Sequence, residues 1–387
     1  MGRVLHVLMN QNGLTIYPSV YNALHCWQKL GWSNHIITGG STEGFGHLIS
    51  KEYRFGGGYI RRAGQLASVP GHFDVVIVYD PQDVALLYTA RWLCPKNSYD
   101  SLVHHCLEIP TGTWNGKAGV GTMIRSILCR GYGMMDHLIF QDGGRADLFF
   151  RTFPWLRRPG HSLVTNSYIN SIEPVADSFD WFDNVRAKSE WLVLYTGAIE
   201  RWAVSTKLFD IVTRIPNVTF ALSGWSKDGY ANQLAKRYRN VKNIHFSLGM
   251  KSRPVLNYMV THSDIGLVCY ESTEDHNIHH VGLASGKMHK FLSFAKPLLV
   301  NAIPSLHDFV AKNGFGVCVP MEEFPLAIQQ LMQTYPELQR NIRQRYSRLC
   351  AYEREYMKFL STFLDDHHDS ARVIAAGDQQ TEVLSVP

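Results

Sequence analysis

Ser285, Gly286 and Lys287 lie in the stretch GLASGKMHKFLSF, which opens at Gly282. A hydroxyl, a glycine and a lysine in that order suggest phosphate chemistry. A wrapped phosphate loop has four residues between its glycines and Ser or Thr after the lysine. Here three residues separate Gly282 from Gly286, and Met288 follows Lys287. The segment instead has the pattern of a helix start, with Ser285 at the N-cap. Free amides and the positive helix end beside a lysine suit a pyrophosphate. The plainer alternative is a capped helix with a solvated lysine.

A second set sits in LVHHCLEIPTG: His104, His105 and Glu108. Deprotonating an acceptor hydroxyl needs a base of suitable pKa and reach. Glu108 is the candidate base, and His105 the candidate for substrate positioning or leaving-group charge. A structural hydrogen bond for the histidines and a surface or cap role for Glu108 compete with that reading. NQNGLT, Asn10 to Thr15, is a strand-to-helix loop in which Asn12 and Gly13 would let backbone approach a ligand. His276, His279 and His280 suggest zinc, but no Cys or carboxylate completes a ligand set at recognisable spacing, so no metal is expected. Between 117 and 158, seven basic residues face three acidic ones. Within this segment RTFPWLRRPG (151–160, with Arg157 and Arg158) mixes aromatic and basic groups, as an anionic membrane surface would require. A solvated face is the competing reading.

The elements that must position these residues alternate strand and helix. In the first half, strands are expected at Val4–Met9, Ile36–Thr38, Phe73–Tyr79, Ser101–His105, His137–Gln141 and Ser162–Thr165. Residues 171–189, acidic then basic and without a clean period, read as a linker. Strands resume at Trp191–Thr196, Val218–Ser223, Ile244–Leu248, Ile265–Tyr270, Pro297–Asn301 and Gly316–Val319. Continuous apolar strands separated by helices imply parallel sheets covered on both faces. Three strands run into Gly197, Gly224 and Gly249, and ligands of such sheets bind outside the carboxyl ends of the strands. The expected organisation is therefore a first domain at 1–170, a second at 190–340, terminal helices at 341–365 and a disordered tail at 366–387.

The 387 residues exceed one core's usual reach. Hydrophobic content of 45%, charged content of 18% and a net charge of +5 describe a globular chain without a nucleic-acid-type basic tract. Seven scattered cysteines suggest reduced thiols in a cytoplasmic compartment. The opening MGRVLHVLMNQNG reads as a first strand, not a signal peptide. No apolar run approaches a membrane span.

SDIGLVCYES followed by ASGKMHKFLSFAKPLLVNAIPSLHDFV resembles the C-terminal signature of GT-B glycosyltransferases of the family 4, or glycosyltransferase group 1, type. LVLYTGAIERW resembles the strand and glycine that open their donor domain, and IHFSLGM a later strand. HHCLEI, DHLIFQDGGRADLF and VTNSYIN resemble segments of bacterial members. The resemblance implies two Rossmann-like doubly wound domains facing a cleft, with C-terminal helices crossing back to the first. It implies metal-independent transfer of a sugar from a nucleotide-diphosphate sugar, with no further cofactor. The acceptor would be a glycan or lipid-linked hydroxyl in cell-surface polysaccharide or glycolipid synthesis, at the cytoplasmic membrane face. Donor-side residues would be Gly13, Gly197, Arg201, Gly224, Tyr270, Ser285, Gly286, Lys287 and Lys290.

Two departures stand out. Many members carry two Glu eight residues apart, where this chain has Gly282 and Lys290, and a lysine cannot accept ribose hydroxyl protons. Ala198 follows Gly197 where Arg and Lys are common, leaving Arg201 as the nearest substitute. A sugar-nucleotide 2-epimerase-like isomerase and a non-catalytic sugar-nucleotide-binding partner subunit are the alternative readings.

Overall fold

The computed structural model describes residues 2–10, 13–94, 99–110, 118–157, 159–169, 172–271 and 276–380. They divide into two compact units: one holds the chain up to Val164 and again from Tyr352, the other Thr165–Ala351.

The first unit is built on β1 (Arg3–Leu8), β2 (Ser33–Thr38), β3 (Lys51–Arg54), β4 (Phe73–Val78), β5 (Tyr99–His105), β6 (His137–Phe140) and β7 (Gly160–Leu163). Their order is β3-β2-β1-β4-β5-β6-β7, with every pair parallel. Runs such as FDVVIV are buried on both faces because helices cover both sides. Leu5, Val7, Val76 and Leu102 pack with Val84, Leu87 and Phe149 from the covering helices. β3 (KEYR) is absent from the sequence expectation. It is a mostly exposed edge strand with no apolar run to betray it.

The second unit carries β8 (Trp191–Ala198), β9 (Val218–Trp225), β10 (Ile244–Leu248), β11 (Ile265–Val268), β12 (Leu298–Asn301) and β13 (Gly316–Val319). They are ordered β10-β9-β8-β11-β12-β13, again in parallel pairs. In each sheet the order reverses beside the first strand, between β1 and β4 and between β8 and β11. Doubly wound sheets bind ligands at the carboxyl side of that reversal.

Two expectations about the connections are corrected. Residues 171–189 are not a bare linker: they contain the helix Asp180–Arg186, whose Phe182 and Val185 are buried with Leu192, Leu194 and Met259 of the second unit. The apolar pair at helical spacing is hidden among charges. The tail expected to be disordered from 366 continues the helix Tyr352–Gln380. That helix returns to the first unit, where the Tyr352 hydroxyl donates to the Ser19 carbonyl at 2.7 Å and Trp27 Nε1 to the Tyr356 hydroxyl at 3.2 Å. Among the described residues no helix is long and apolar enough to cross a membrane, and no disulfide joins any of the seven cysteines.

Candidate functional site

In the second unit, residues from four segments meet at the carboxyl side of the reversal. Gly197, the last residue but one of β8, has φ of +111°, a conformation L side chains rarely adopt. Gly224 on β9 lies directly beside it: a Cβ there would stand 1.8 Å from the Gly197 carbonyl oxygen. Only glycine lets the two strand ends approach this closely.

After β11, Tyr270 is fixed by Asn301, whose side chain accepts from the Tyr270 N–H at 3.0 Å and donates to its carbonyl at 2.6 Å. The Tyr270 hydroxyl lies 2.8 Å from Ser285 Oγ. That oxygen also accepts from the Met288 N–H at 3.2 Å, so Ser285 caps the helix Gly286–Ser293 as its position predicts. The first-turn amides of Gly286 and Lys287 have no acceptor among the described residues.

Lys287 runs back across Gly197, its Cε 3.7 Å from where a Cβ would sit. Its ammonium lies 3.7 Å from the centre of the Tyr195 ring and 5.1 Å from that of Tyr270. Ring faces attract a cation, but they do not neutralise it. Among the described residues no carboxylate lies within ion-pair distance of it. Burial lowers its pKa from 10.5 to about 7. The arrangement is a poised cation beside free amides at a positive helix end, which is chemistry for an anion.

The other donor-side candidates lie elsewhere. Arg201 is exposed and sits over the Tyr230 ring at 4.5 Å. Lys290 is sealed inside, 2.8 Å from a Glu173 carboxylate oxygen and 2.8 Å from the Asn257 side-chain oxygen, with the Tyr168 ring 3.7 Å away. Burial lowers Lys290 to about 8, although Glu173 opposes this. Burial pushes Glu173 up, but Lys290 outweighs it, with Asn257 and Arg253 helping, and the net shift is downward. Lys290 is thus a structural ion-pair partner and not a ligand-facing cation. Gly249 directly follows β10, where Lys251 donates to the Leu248 carbonyl at 2.8 Å. Sequence reasoning passed over Tyr195, Trp202 and Asn301. Tyr195, two residues before Gly197 on the same strand, had a signal in the alternation.

In the first unit the reversal point is organised by a buried carboxylate that sequence reasoning also missed. Asp83, on the helix Pro81–Leu93, accepts from the backbone N–H of Met9 at 2.8 Å, Asp80 at 3.0 Å and Tyr79 at 3.4 Å. It joins the ends of β1 and β4. Burial pushes its carboxyl upward against those bonds, and burial raises Asp80 as well, assisted by the charges of Asp83 and Glu108. Glu108 is exposed on the loop after β5, a position consistent with a base. Gly13 follows the end of β1 and packs against the Ser41 carbonyl, which accepts from Leu14 at 2.9 Å. Asn12 lies outside the described residues.

His105 does not match its expected role. It is fully buried, with its ring centre 5.7 Å from that of Tyr79 and 6.0 Å from that of Tyr356. Burial, then the neighbouring His104 and His6, lowers it to about 3. His105 is the last residue of β5, sealed by these rings, and burial keeps it neutral with neither ring nitrogen hydrogen-bonded among the described residues, so it is not exposed to a substrate in this conformation. Of the HNIHH histidines, the side chain of His276 lies outside the described residues. A separate grouping, His72, Asp74 and Asp100, has ligand atoms within 4.8 Å of one another. It sits at the amino ends of β4 and β5, and all three of its members are already engaged, His72 with Asp100 at 3.0 Å and Asp74 with the Arg3 N–H at 2.6 Å. In the 151–160 segment, Arg151, Pro154, Trp155 and Arg157 are exposed, while Phe153 and Leu156 anchor it; Arg158 lies outside the described residues.

Two parallel, doubly wound Rossmann-like units, with the chain returning to the first, make up the GT-B fold. Solved structures share it. The chain is similar to HepE from Anabaena in complex with UDP and glucose, with a TM-score of 0.70 at 12% identity over 94% of this chain and 100% of that one. It is similar to sucrose-phosphate synthase from Thermosynechococcus elongatus, with a TM-score of 0.67 at 13% identity over 97% and 100%. WaaG, a glycosyltransferase involved in lipopolysaccharide biosynthesis, gives a TM-score of 0.63 at 12% identity over 92% and 98%. At such identities the likeness is one of fold. No protein-family model and no curated protein matches the sequence.

Proposed function

We propose that the protein is a glycosyltransferase that moves a sugar from a nucleotide-diphosphate sugar to an acceptor hydroxyl. The observation that carries this is Lys287: a desolvated lysine without a carboxylate partner among the described residues, held over Gly197 beside the open amides of Gly286 and itself. A leaving diphosphate needs positive charge that is in place before the bond breaks. Lys287 and the helix end supply it from the protein's own groups, so the mechanism requires no metal. The HepE structures with UDP and UDP-glucose support a uridine donor as the first to try.

Glu108 is proposed as the base that takes the acceptor proton. The acceptor is proposed to be a lipid-linked or cell-surface glycan on the cytoplasmic side, with Trp155, Arg151 and Arg157 resting on anionic lipid. Sedimentation with anionic vesicles, weakened by salt and by Arg157→Glu, supports that placement; binding indifferent to lipid charge refutes it. The test of the activity is release of nucleoside diphosphate from a panel of UDP-, GDP- and ADP-sugars by the purified chain with lipid-linked and glycan acceptors. Binding without turnover on any acceptor favours a second reading, a non-catalytic sugar-nucleotide-binding subunit. Gly282, without a side chain, and the sealed Lys290 speak for that reading.

A further inference from the structure

The turn that precedes the Lys287 helix is clamped from two sides. Residues Gly282–Ala284 form a single tight helical turn ahead of the Ser285 cap. The Gly282 N–H donates to Ser305 Oγ at 3.2 Å. The Leu283 carbonyl accepts from the Asn166 backbone N–H at 3.0 Å and from His289 Nε2 at 2.9 Å. The Ala284 carbonyl accepts from Asn166 Nδ2 at 2.9 Å. Asn166 is half-buried and directly follows Thr165, where the chain enters the second unit. His289 is fully buried, with its Nδ1 2.8 Å from the Tyr346 hydroxyl. Burial lowers its pKa to about 4, against the pull of the Leu283 bond, so the ring is neutral at pH 7. A carbonyl only accepts, so Nε2 carries the proton and Nδ1 accepts from Tyr346.

The effect of this clamp falls on the groups that follow it. Ser285 comes next in the chain and caps the helix, and the open amides of Gly286 and Lys287 come directly after. A backbone carbonyl is an acceptor, and one left free at the front of a helix would repel an anion that the N–H groups attract. Asn166 and His289 supply donors to both carbonyls ahead of the cap, so the helix end presents donors alone. We infer that Asn166 is a positioning residue for phosphate recognition. Through Leu283 and Ala284 it holds the Ser285 cap and the Gly286 and Lys287 amides in the arrangement a diphosphate needs, and His289 closes the clamp from the helix itself. This rests on the nucleotide-sugar reading of the same site. It assigns a task in that site to a residue 118 positions earlier in the chain than Ala284, outside the helix and its loop.

The test titrates the full chain with UDP, GDP, ADP and CDP. The tightest of these is then measured on wild type, Asn166→Ala and Asn166→Asp, with inorganic pyrophosphate and the parent nucleoside as competitors and melting temperature as the folding control. Asn166→Ala should bind the diphosphate about fivefold more weakly, the worth of one hydrogen bond. Pyrophosphate should lose the same factor and the nucleoside none, a split that a general loss of structure would not give. Asn166→Asp is isosteric, but its carboxylate cannot donate to the Ala284 carbonyl. It should weaken the diphosphate at least as much, and it carries the readout if the alanine variant folds poorly. In the free protein, hydrogen exchange of the Met288 and His289 amides, which close on Ser285, should speed up in both variants. Unchanged diphosphate affinity, or nucleoside affinity that falls with it, overturns the inference. Failure of all four diphosphates to bind wild type removes the nucleotide reading and this role with it; exchange that still speeds up in the variants then shows the clamp to be structural alone.

Discussion

Nucleotide binding should draw a proton onto Lys287. With a pKa of about 7 in the free protein, the side chain is about half neutral at pH 7 and about 97% neutral at pH 8.5. A diphosphate oxygen beside the nitrogen favours the ammonium. Above pH 7 the complex therefore holds more protons than the free protein, and affinity must fall as pH rises. Between pH 7 and 8.5 the loss is about fifteenfold, or about 1.6 kcal/mol, provided the bound pKa stays above that range. Calorimetric titration in two buffers of different ionisation enthalpy measures the uptake directly. It should approach one proton at pH 8.5 and about half a proton at pH 7. Lys287→Arg, always charged, should bind with no uptake and a flat profile over this range. Tight wild-type binding at pH 8.5 with no proton uptake would refute the reasoning, because the lysine would then be charged in the free protein or away from the phosphate.

Three further outcomes follow from the geometry. Glu108→Gln should cut turnover by about a hundredfold or more with donor affinity retained, the range of general-base catalysis; wild-type rates in that variant would move the base elsewhere. Glu173→Gln leaves Lys290 buried without its 2.8 Å carboxylate partner and should cost about 3–5 kcal/mol in denaturant unfolding, much of it recovered by adding Lys290→Met; a neutral Glu173→Gln would mean the pair is solvated. Gly224→Ala places a Cβ 1.8 Å from the Gly197 carbonyl oxygen, so β8 and β9 must part and both stability and nucleotide binding should suffer. Unchanged melting and affinity in that variant would contradict the close approach.

Much of the fold was legible because parallel strands covered on both faces leave unbroken apolar runs, such as FDVVIV and WLVLYT. KEYR was not, because an edge strand needs no such run. The helix Asp180–Arg186 was obscured because only Phe182 and Val185 face the core. Within the site, the capped helix start and its lysine could be read from local order alone. Separating Lys287 from Lys290 could not: both sit on one short helix, and what removes Lys290 from solvent is Glu173, 117 positions away in sequence. His105 and Glu108 show the same limit. Their types suggest equal chemistry, but one is buried at the end of β5 and the other exposed on the loop beyond it. Asp83 was invisible because its role is to collect three backbone amides that only the folded sheet brings together.

The central claim is that the second unit binds a nucleotide-diphosphate sugar through Lys287. Equilibrium titration of the purified full chain with UDP-, GDP-, ADP- and CMP-sugars, in parallel with Lys287→Ala, tests it most directly. The account predicts saturable binding of at least one diphosphate sugar by wild type, weakened by about tenfold or more in the variant, the worth of a charge-assisted contact, with both proteins equally folded. Equal affinity in the two proteins, or no binding of any of these donors by wild type, would contradict it.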